Sequence, residues 1–210
     1  MAGMADTDAD DDATPVETTE WDGGFSWIAY PDEDARRASH ALTTDAGVWL
    51  VDPVDVDGLD AHLREAGDVA GVVVLQDRHT RDAAAVARRH DVAVSVPEGM
   101  ALTREKLDAD ADPTGSALAG SAYEVHELRS DDEWEEAVLW NAERETLLVP
   151  ETLGTLPAFR DGGDALGVHP AVEESPQELA EWDPDHVLVG HGTSIHEDAT
   201  AALTAALGLD

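Results

Sequence analysis

The chain contains no cysteine, which excludes disulfide bonds, thiolate nucleophiles and cysteine-ligated metals together. Positive charge is nearly as scarce. Lysine and arginine total 12 against 47 aspartates and glutamates, Lys106 is the only lysine, and the formal net charge is -35. The few arginines form no long stripe that could track a phosphate backbone, so nucleic acid is disfavoured as a partner. Arg88, Arg89 and His90 are a local exception, expected to sit in the last turn of a helix, where positive charge is favourable. No apolar run approaches the roughly 20 residues that a membrane-spanning helix needs, and the amino terminus is acidic where a signal peptide would be basic. The resulting expectation is a cytoplasmic protein with no membrane partner.

Acid at this density ordinarily accompanies disorder, yet 42% of the residues are hydrophobic, and valine, leucine and alanine recur in ordered runs. The charge is therefore expected to sit on a folded body. Self-repulsion opposes that body in dilute buffer, whereas at molar ionic strength the Debye length falls to roughly 3 Å. The composition is similar to that of proteins from salt-accumulating, halophilic cytoplasms, and folding that depends on salt is expected. A length of 210 residues fits one domain of ordinary size. Residues 1–20, rich in aspartate, alanine and threonine without periodicity, read as a disordered acidic tail, leaving 21–210 as the domain.

Strands are expected near Gly23 to Pro31, Ala38 to Thr43 and Val48 to Val51, with the turn Thr44-Asp-Ala-Gly47 joining the last two as a hairpin. Leu59, Leu63 and Ala66 have the spacing of one apolar helical face, and Val72 to Leu75 reads as a buried strand. A helix over Ala83 to Arg89 and a strand over Val92 to Val96 follow. The stretch from Glu98 to Gly120 reads as loop with one short helix. Strands resume at Tyr123 to Leu128, Glu136 to Trp140, Thr146 to Val149 and Val187 to Gly192, before a helix from Glu197 to Leu207. Strands alternating with helices imply a layered α/β architecture.

Three of these strands stop at ionisable residues. The first runs into Gln76-Asp-Arg-His-Thr-Arg-Asp82, the second into Pro150-Glu151, and the third into Gly190-His191-Gly192. Their order and separation resemble the metallo-β-lactamase fold family, whose first segment reads H-x-H-x-D-H and whose second ends in Gly-Asp. The run Leu42 to Pro53, with Val51-Asp52, is similar to the strands that precede that family's metal motif. The resemblance implies an αβ/βα four-layer sandwich and a metal-dependent hydrolase centre. In this sequence the first motif has become Asp77, His79, Arg81 and Asp82, and the bridging aspartate has become Glu151. A further family histidine would fall near Asp132, with His126 a few residues upstream as the available substitute.

On that resemblance Asp77, His79, Glu151 and His191 are the candidate metal ligands. Their mixed oxygen and nitrogen donors suit one divalent ion, manganese, iron or magnesium better than an imidazole-rich zinc site, or no metal at all. Arg81 cannot ligate a cation, because its guanidinium offers only donors. Two readings follow. In the leading one, Asp77, Arg81, Asp82 and Glu151 form an internal ion-pair network holding His79 and His191, and the protein is a binding or scaffold protein without the family's binuclear hydrolase activity. In the alternative, it is a mononuclear hydrolase of an ester, thioester or lactone, with Asp82 as general base and Arg81 stabilising an oxyanion. A small-molecule ligand and a homo-oligomer are the partner classes left.

The other histidines, His40, His62, His90, His169, His186 and His196, are expected at surface, cap or loop positions, with His169 and His196 in loops bordering the same cleft. Gly190-His-Gly-Thr-Ser194 is no nucleophile elbow, and Gly162-Gly163 lacks a phosphate-loop lysine.

Overall fold

The computed structural model describes residues 16–160 and 162–209. Four antiparallel strands begin the larger sheet: β1 (Glu17–Trp21), β2 (Gly24–Ile28), β3 (Ala38–Thr44) and β4 (Gly47–Val51). Parallel pairing then needs crossovers, and each one carries a helix. These are α1 (Leu59–Ala66) before β5 (Val69–Val73), α2 (Ala83–His90) before β6 (Val94–Pro97), and α3 (Ala101–Lys106) before β7 (Ala111–Thr114). The strands lie in the sheet in sequence order.

The second half supplies β8 (Glu124–Ser130), β9 (Glu135–Asn141) and β10 (Thr146–Val149), then the short pair β11 (Leu153–Gly154) and β12 (Gly167–Val168). Strand β13 (His186–Val189) pairs in parallel with β10, and α4 (Ala199–Ala206) ends the fold. The smaller sheet has the order β13-β10-β9-β8.

Side-chain alternation explains the layering. Ala137, Leu139, Leu148 and Leu188 face the larger sheet and share its core, while Val138, Leu147, Val149, Val187 and Val189 pack with Leu203 and Leu207 around α4. A sheet covered on both faces reads as continuous apolar runs, which is why Leu147-Leu-Val149 and Val187-Leu-Val189 show no polar alternation. On the larger sheet, Leu59 and Leu63 of α1 and Ala83, Val86 and Ala87 of α2 belong to the main core. The architecture is the expected αβ/βα sandwich.

Three expectations change. Residues 1–15 of the expected tail lie outside the described residues, but Glu17–Trp21, expected within or just beyond that tail, pair with β2 as an edge strand. The stretch from Glu98 to Gly120, expected as loop with one short helix, holds that helix as α3 but also the strand β7, whose Ala111-Asp-Pro-Thr114 is polar because it lies at a sheet edge, where proline is tolerated.

His40, expected at the surface, is buried at 1% exposure on β3. Its Nδ1 accepts from the Ser26 hydroxyl at 2.8 Å and its Nε2 donates to the Val189 carbonyl at 3.1 Å, tying the two sheets together. Burial pushes its pKa down to about 3. The unfolded chain therefore takes up a proton near pH 6.5 that the folded chain refuses. The stability this neutral histidine contributes is present above about pH 6.5 and is lost as pH falls toward 3. Between pH 6.5 and 5 the loss should reach about 2 kcal/mol. Urea midpoints measured in high salt should fall over that interval in the wild type, and the fall should be shallower in His40→Gln. Parallel profiles for the two proteins would assign the acid sensitivity elsewhere.

Candidate metal centre

The carboxyl ends of β4, β5, β10 and β13 open toward one edge of the sandwich, the position where α/β sheets place their chemistry. Asp52 follows β4, His79 lies in the loop after β5, Glu151 follows β10 and His191 follows β13. His79, Glu151 and His191 meet there, and they are the one group of three or more metal-ligating side chains found among the described residues. Glu151 Oε2 lies 2.9 Å from His79 Nε2 and 2.9 Å from His191 Nε2, and the two Nε2 atoms are 3.2 Å apart.

The far nitrogens decide what those contacts mean. His79 Nδ1 donates to Asp52 Oδ2 at 3.0 Å, and His191 Nδ1 donates to the Ala35 carbonyl at 2.8 Å. Each neutral ring therefore presents a proton-free Nε2 to the centre, beside a carboxylate oxygen. Three lone-pair acceptors facing one another require a cation or an added proton between them. Ligands held ~2.0–2.2 Å from one divalent ion lie about 3 Å from each other, so the separations fit a single ion. A proton taken up by the rings plays the cation's part in its absence: hydrogen bonds from His191 and His79 then outweigh burial and hold the Glu151 carboxyl well below its usual range.

Buried neighbours fix this arrangement. Asp52 is 2% exposed, has a positive φ of 46°, and accepts the Leu75 amide on Oδ1 at 2.9 Å while Oδ2 holds His79. A carboxylate on the second nitrogen of a ligating histidine is the usual way of fixing its tautomer. Glu136, fully buried on β9, accepts the amides of Glu151 and Thr152 on Oε1, each at 2.8 Å, and the Thr152 hydroxyl and Trp134 Nε1 on Oε2. Burial raises its pKa against the pull of those donors. Gly190 has to be glycine: a Cβ there would lie 2.2 Å from the Pro150 carbonyl oxygen and 2.9 Å from His79 Cε1.

The remaining sequence candidates go elsewhere. Asp77, expected as a ligand, is 1% exposed and engaged by Lys106 on Oδ2, and by Gln76 Nε2 and the Glu135 amide on Oδ1. Arg81, expected to pair with Asp82 or Glu151, instead donates to the main-chain carbonyls of Ala38, Asp52 and Gly190. Asp82 accepts the Asp55 amide at 2.9 Å, which fastens the loop after β4 and does not place it as a base in the centre. His126 pairs with Glu124 and rests on Trp182, and Asp132 is exposed. The expected ion-pair network is thus split into separate pairs.

Sequence reasoning left Arg78, Trp134, Phe159 and Glu136 without a role at the site, although two adjacent glutamates opening an apolar strand were a visible signal. His169 borders the cleft as expected, its Nε2 3.6 Å from Glu151 Oε1 and its ring edge-on to Trp134 and Phe159. His196 does not; it lies beside His186. Arg78 stacks over Trp134 at 4.5 Å and approaches Glu151 at 3.8 Å. A cavity of about 400 Å³ lies beside the His191 loop, lined by Arg36, Thr155, Arg160, Gly192 and Thr193 among others. A larger cavity of about 790 Å³, lined by Tyr30, Asp55 and Arg89 among others, includes none of the three central residues.

Solved structures share this architecture along most of the chain. The DIM-1 metallo-β-lactamase exposed to ceftazidime aligns over 94% of this chain and 99% of its own, with a TM-score of 0.64 at 14% identity. The chain has the metallo-β-lactamase fold. A metallo-β-lactamase from Pontibacter korlensis aligns over 92% of each chain, with a TM-score of 0.59 at 16% identity. The protein TTHA1623, in a di-iron-bound form, aligns over 83% of this chain and 92% of its own, with a TM-score of 0.56 at 15% identity. No protein-family model and no curated protein matches the sequence. At such identities the metallo-β-lactamase fold is what is shared, and no helix among the described residues is long and apolar enough to cross a membrane.

Proposed function

We propose that the chain is a mononuclear metal-dependent hydrolase of an ester, thioester or lactone, its ion held by His79, Glu151 and His191. The supporting observation is the convergence of two proton-free Nε2 atoms and a carboxylate oxygen whose outer partners leave them nothing else to bind. Two imidazoles and a carboxylate form the donor set of catalytic zinc sites and of mononuclear iron sites that keep open positions. Manganese is also accommodated, whereas magnesium prefers an all-oxygen shell. When bound, such an ion supplies Lewis acidity toward a carbonyl and lowers the pKa of a coordinated water.

The chain's own residues contribute binding, orientation and hydrogen bonding. Asp52 and the Ala35 carbonyl hold the two rings, and Glu136 holds the turn that carries Glu151. His169 stands at the mouth in place of Asp82. Its Nδ1 accepts the Ala171 amide at 3.1 Å, so the neutral ring that burial favours carries its proton on Nε2, facing the centre, and donates a hydrogen bond there to a substrate oxygen. Arg78, not Arg81, is the cation that faces an oxyanion or an anionic substrate.

The second reading, a binding or scaffold protein, is favoured by Arg81 and by the Asp77–Lys106 pair. They stand where the resemblance puts ligands, so a binuclear centre has no counterpart. Elemental analysis of protein purified without chelator in high salt separates the two. About one ion per chain is expected at this centre, so His79→Ala should hold one fewer than the wild type, and Glu151→Gln should bind it at least ~10-fold more weakly. Metal-free wild type whose melting temperature ignores added zinc, manganese or iron(II) would remove the hydrolase reading. Bound metal with no turnover of aryl esters, thioesters or lactones would favour the binding protein.

A further inference from the structure

We infer a second transition-metal site, at the opposite end of β13 from the first, formed by His186 Nδ1 and His196 Nδ1. The backbone builds the pair. Val187 and Ile195 exchange both main-chain hydrogen bonds, at 2.9 and 2.8 Å, so the residues flanking that bridge, His186 and His196, are held side by side. Their Nδ1 atoms are 3.2 Å apart, the same separation as the Nε2 atoms of His79 and His191. Ligands ~2.0–2.1 Å from one ion have such a spacing.

The outer contacts repeat the logic of the first centre. His186 Nε2 lies 3.3 Å from Asp22 Oδ1, a carboxylate that can only accept, which favours the tautomer with the proton on Nε2 and Nδ1 bare toward His196. His196 Nε2 is buried without a hydrogen-bond partner among the described residues. A proton on His196 Nδ1 would make a simple hydrogen bond to His186, but would leave a bare Nε2 lone pair buried. A proton on Nε2 leaves two bare Nδ1 atoms facing each other, a geometry that a cation between them resolves. Trp21 closes the site from β1, its ring centroid 5.2 Å from His186 and 5.9 Å from His196. The His186 side chain is 16% exposed and Asp22 78%, so solvent can supply the remaining ligands.

Two imidazole nitrogens with water select copper(II), nickel(II) or zinc over calcium and magnesium, and affinity among these peaks at copper. The site is separated from the first by the length of β13 and His191, at ~3.3 Å per residue, so the ions would bind independently.

Copper(II) titrated into the wild type in 2 M KCl, which screens diffuse attraction to the acidic surface, tests the inference by calorimetry and tryptophan fluorescence. Besides any event at the first centre, one saturable event should quench fluorescence through Trp21. It should persist in His79→Ala, weaken at least ~10-fold in His196→Ala, and weaken about 10-fold in Asp22→Asn, an exposed position whose substitution disturbs no packing. The quenched fraction should disappear in Trp21→Phe while the calorimetric event remains. Copper affinity that neither His196→Ala nor Asp22→Asn changes, or no saturable event below 1 mM in His79→Ala, would overturn the site and leave a proton-sharing histidine pair. Loss of metal at His79 alone leaves this inference intact, so the two sites fail separately.

Discussion

Replacing Arg81 with methionine should lower the free energy of unfolding by about 3 to 5 kcal/mol, the usual cost of removing one partner from a buried charged group. The side chain joins three segments that are far apart in sequence. Nη1 donates to the carbonyls of Ala38, at the start of β3, and of Asp52, just past β4, while Nη2 donates to Gly190, just past β13. Methionine fills much of the same volume but removes the charged donor that three carbonyls share, leaving Gly190 with only the Ala38 amide and Asp52 with only the Ser39 hydroxyl, and it takes away the positive charge beside the Asp52 carboxylate. Burial lowers the Arg81 pKa to about 10, with Asp52 opposing the shift, so the guanidinium stays charged throughout the neutral range. Lysine preserves the charge but offers a point donor in place of a planar fork, and Arg81→Lys should recover only part of the loss. Metal affinity should fall alongside stability although no ligand has changed, because Asp52 orients His79 and Gly190 precedes His191. Urea unfolding in high salt measures the first effect, and elemental analysis the second. A loss below about 1 kcal/mol would show that the carbonyls find water or other donors.

The sequence made most of the order of elements legible, along with three of the four candidate residues that the fold brings together, for reasons that also explain what it hid. Strands buried on both faces announce themselves as apolar runs, and β5, β10 and β13 each end at a residue whose ionisable chemistry does not suit a core. His79, Glu151 and His191 were therefore readable from strand ends alone. Edge strands carry no such signal, and β1 and β7 were missed because their outer sides face water and tolerate Glu17, Asp112 and Pro113. Pairing between distant segments was also hidden. Asp77 has the chemistry of a ligand, and only the fold places Lys106, the single lysine, against it. Arg81 was read as a partner for carboxylates because charge is visible in sequence; the main-chain carbonyls that it engages are not. Asp52 stood out as a residue after a strand, but its hold on His79 Nδ1, which makes the centre a metal site in our reading, exists only once β4 and β5 lie side by side.

Raising potassium chloride from 0.1 to 3 M should lift the melting temperature by at least about 20 °C, equivalent to roughly 5–10 kcal/mol for a chain of this size. The imbalance of 47 acidic against 12 basic side chains is sharpened by where the cations go. Arg81 serves three carbonyls, Arg104 serves those of Val96, Pro97, Glu98 and Met100, and Arg88, Arg144 and Arg160 each donate to one more. Much of the positive charge thus holds backbone together without pairing with a carboxylate side chain. The ion pairs on the surface, such as Arg37 with Glu33 and Arg129 with Asp131, are of the exposed kind that contributes little. Repulsion among the remaining acids is relieved only by screening, which acts over roughly 10 Å at 0.1 M and 3 Å at 1 M. Most of the gain should therefore appear by about 1 M, where screening is nearly complete, with a slower rise beyond it from exclusion of salt from apolar surface. Trimethylamine N-oxide, which strengthens burial without carrying net charge, separates the two contributions: it should reproduce the slow rise and not the steep one. Equal stabilisation by both cosolutes, or a flat melting temperature in potassium chloride, would mean that the acidic surface does not limit folding.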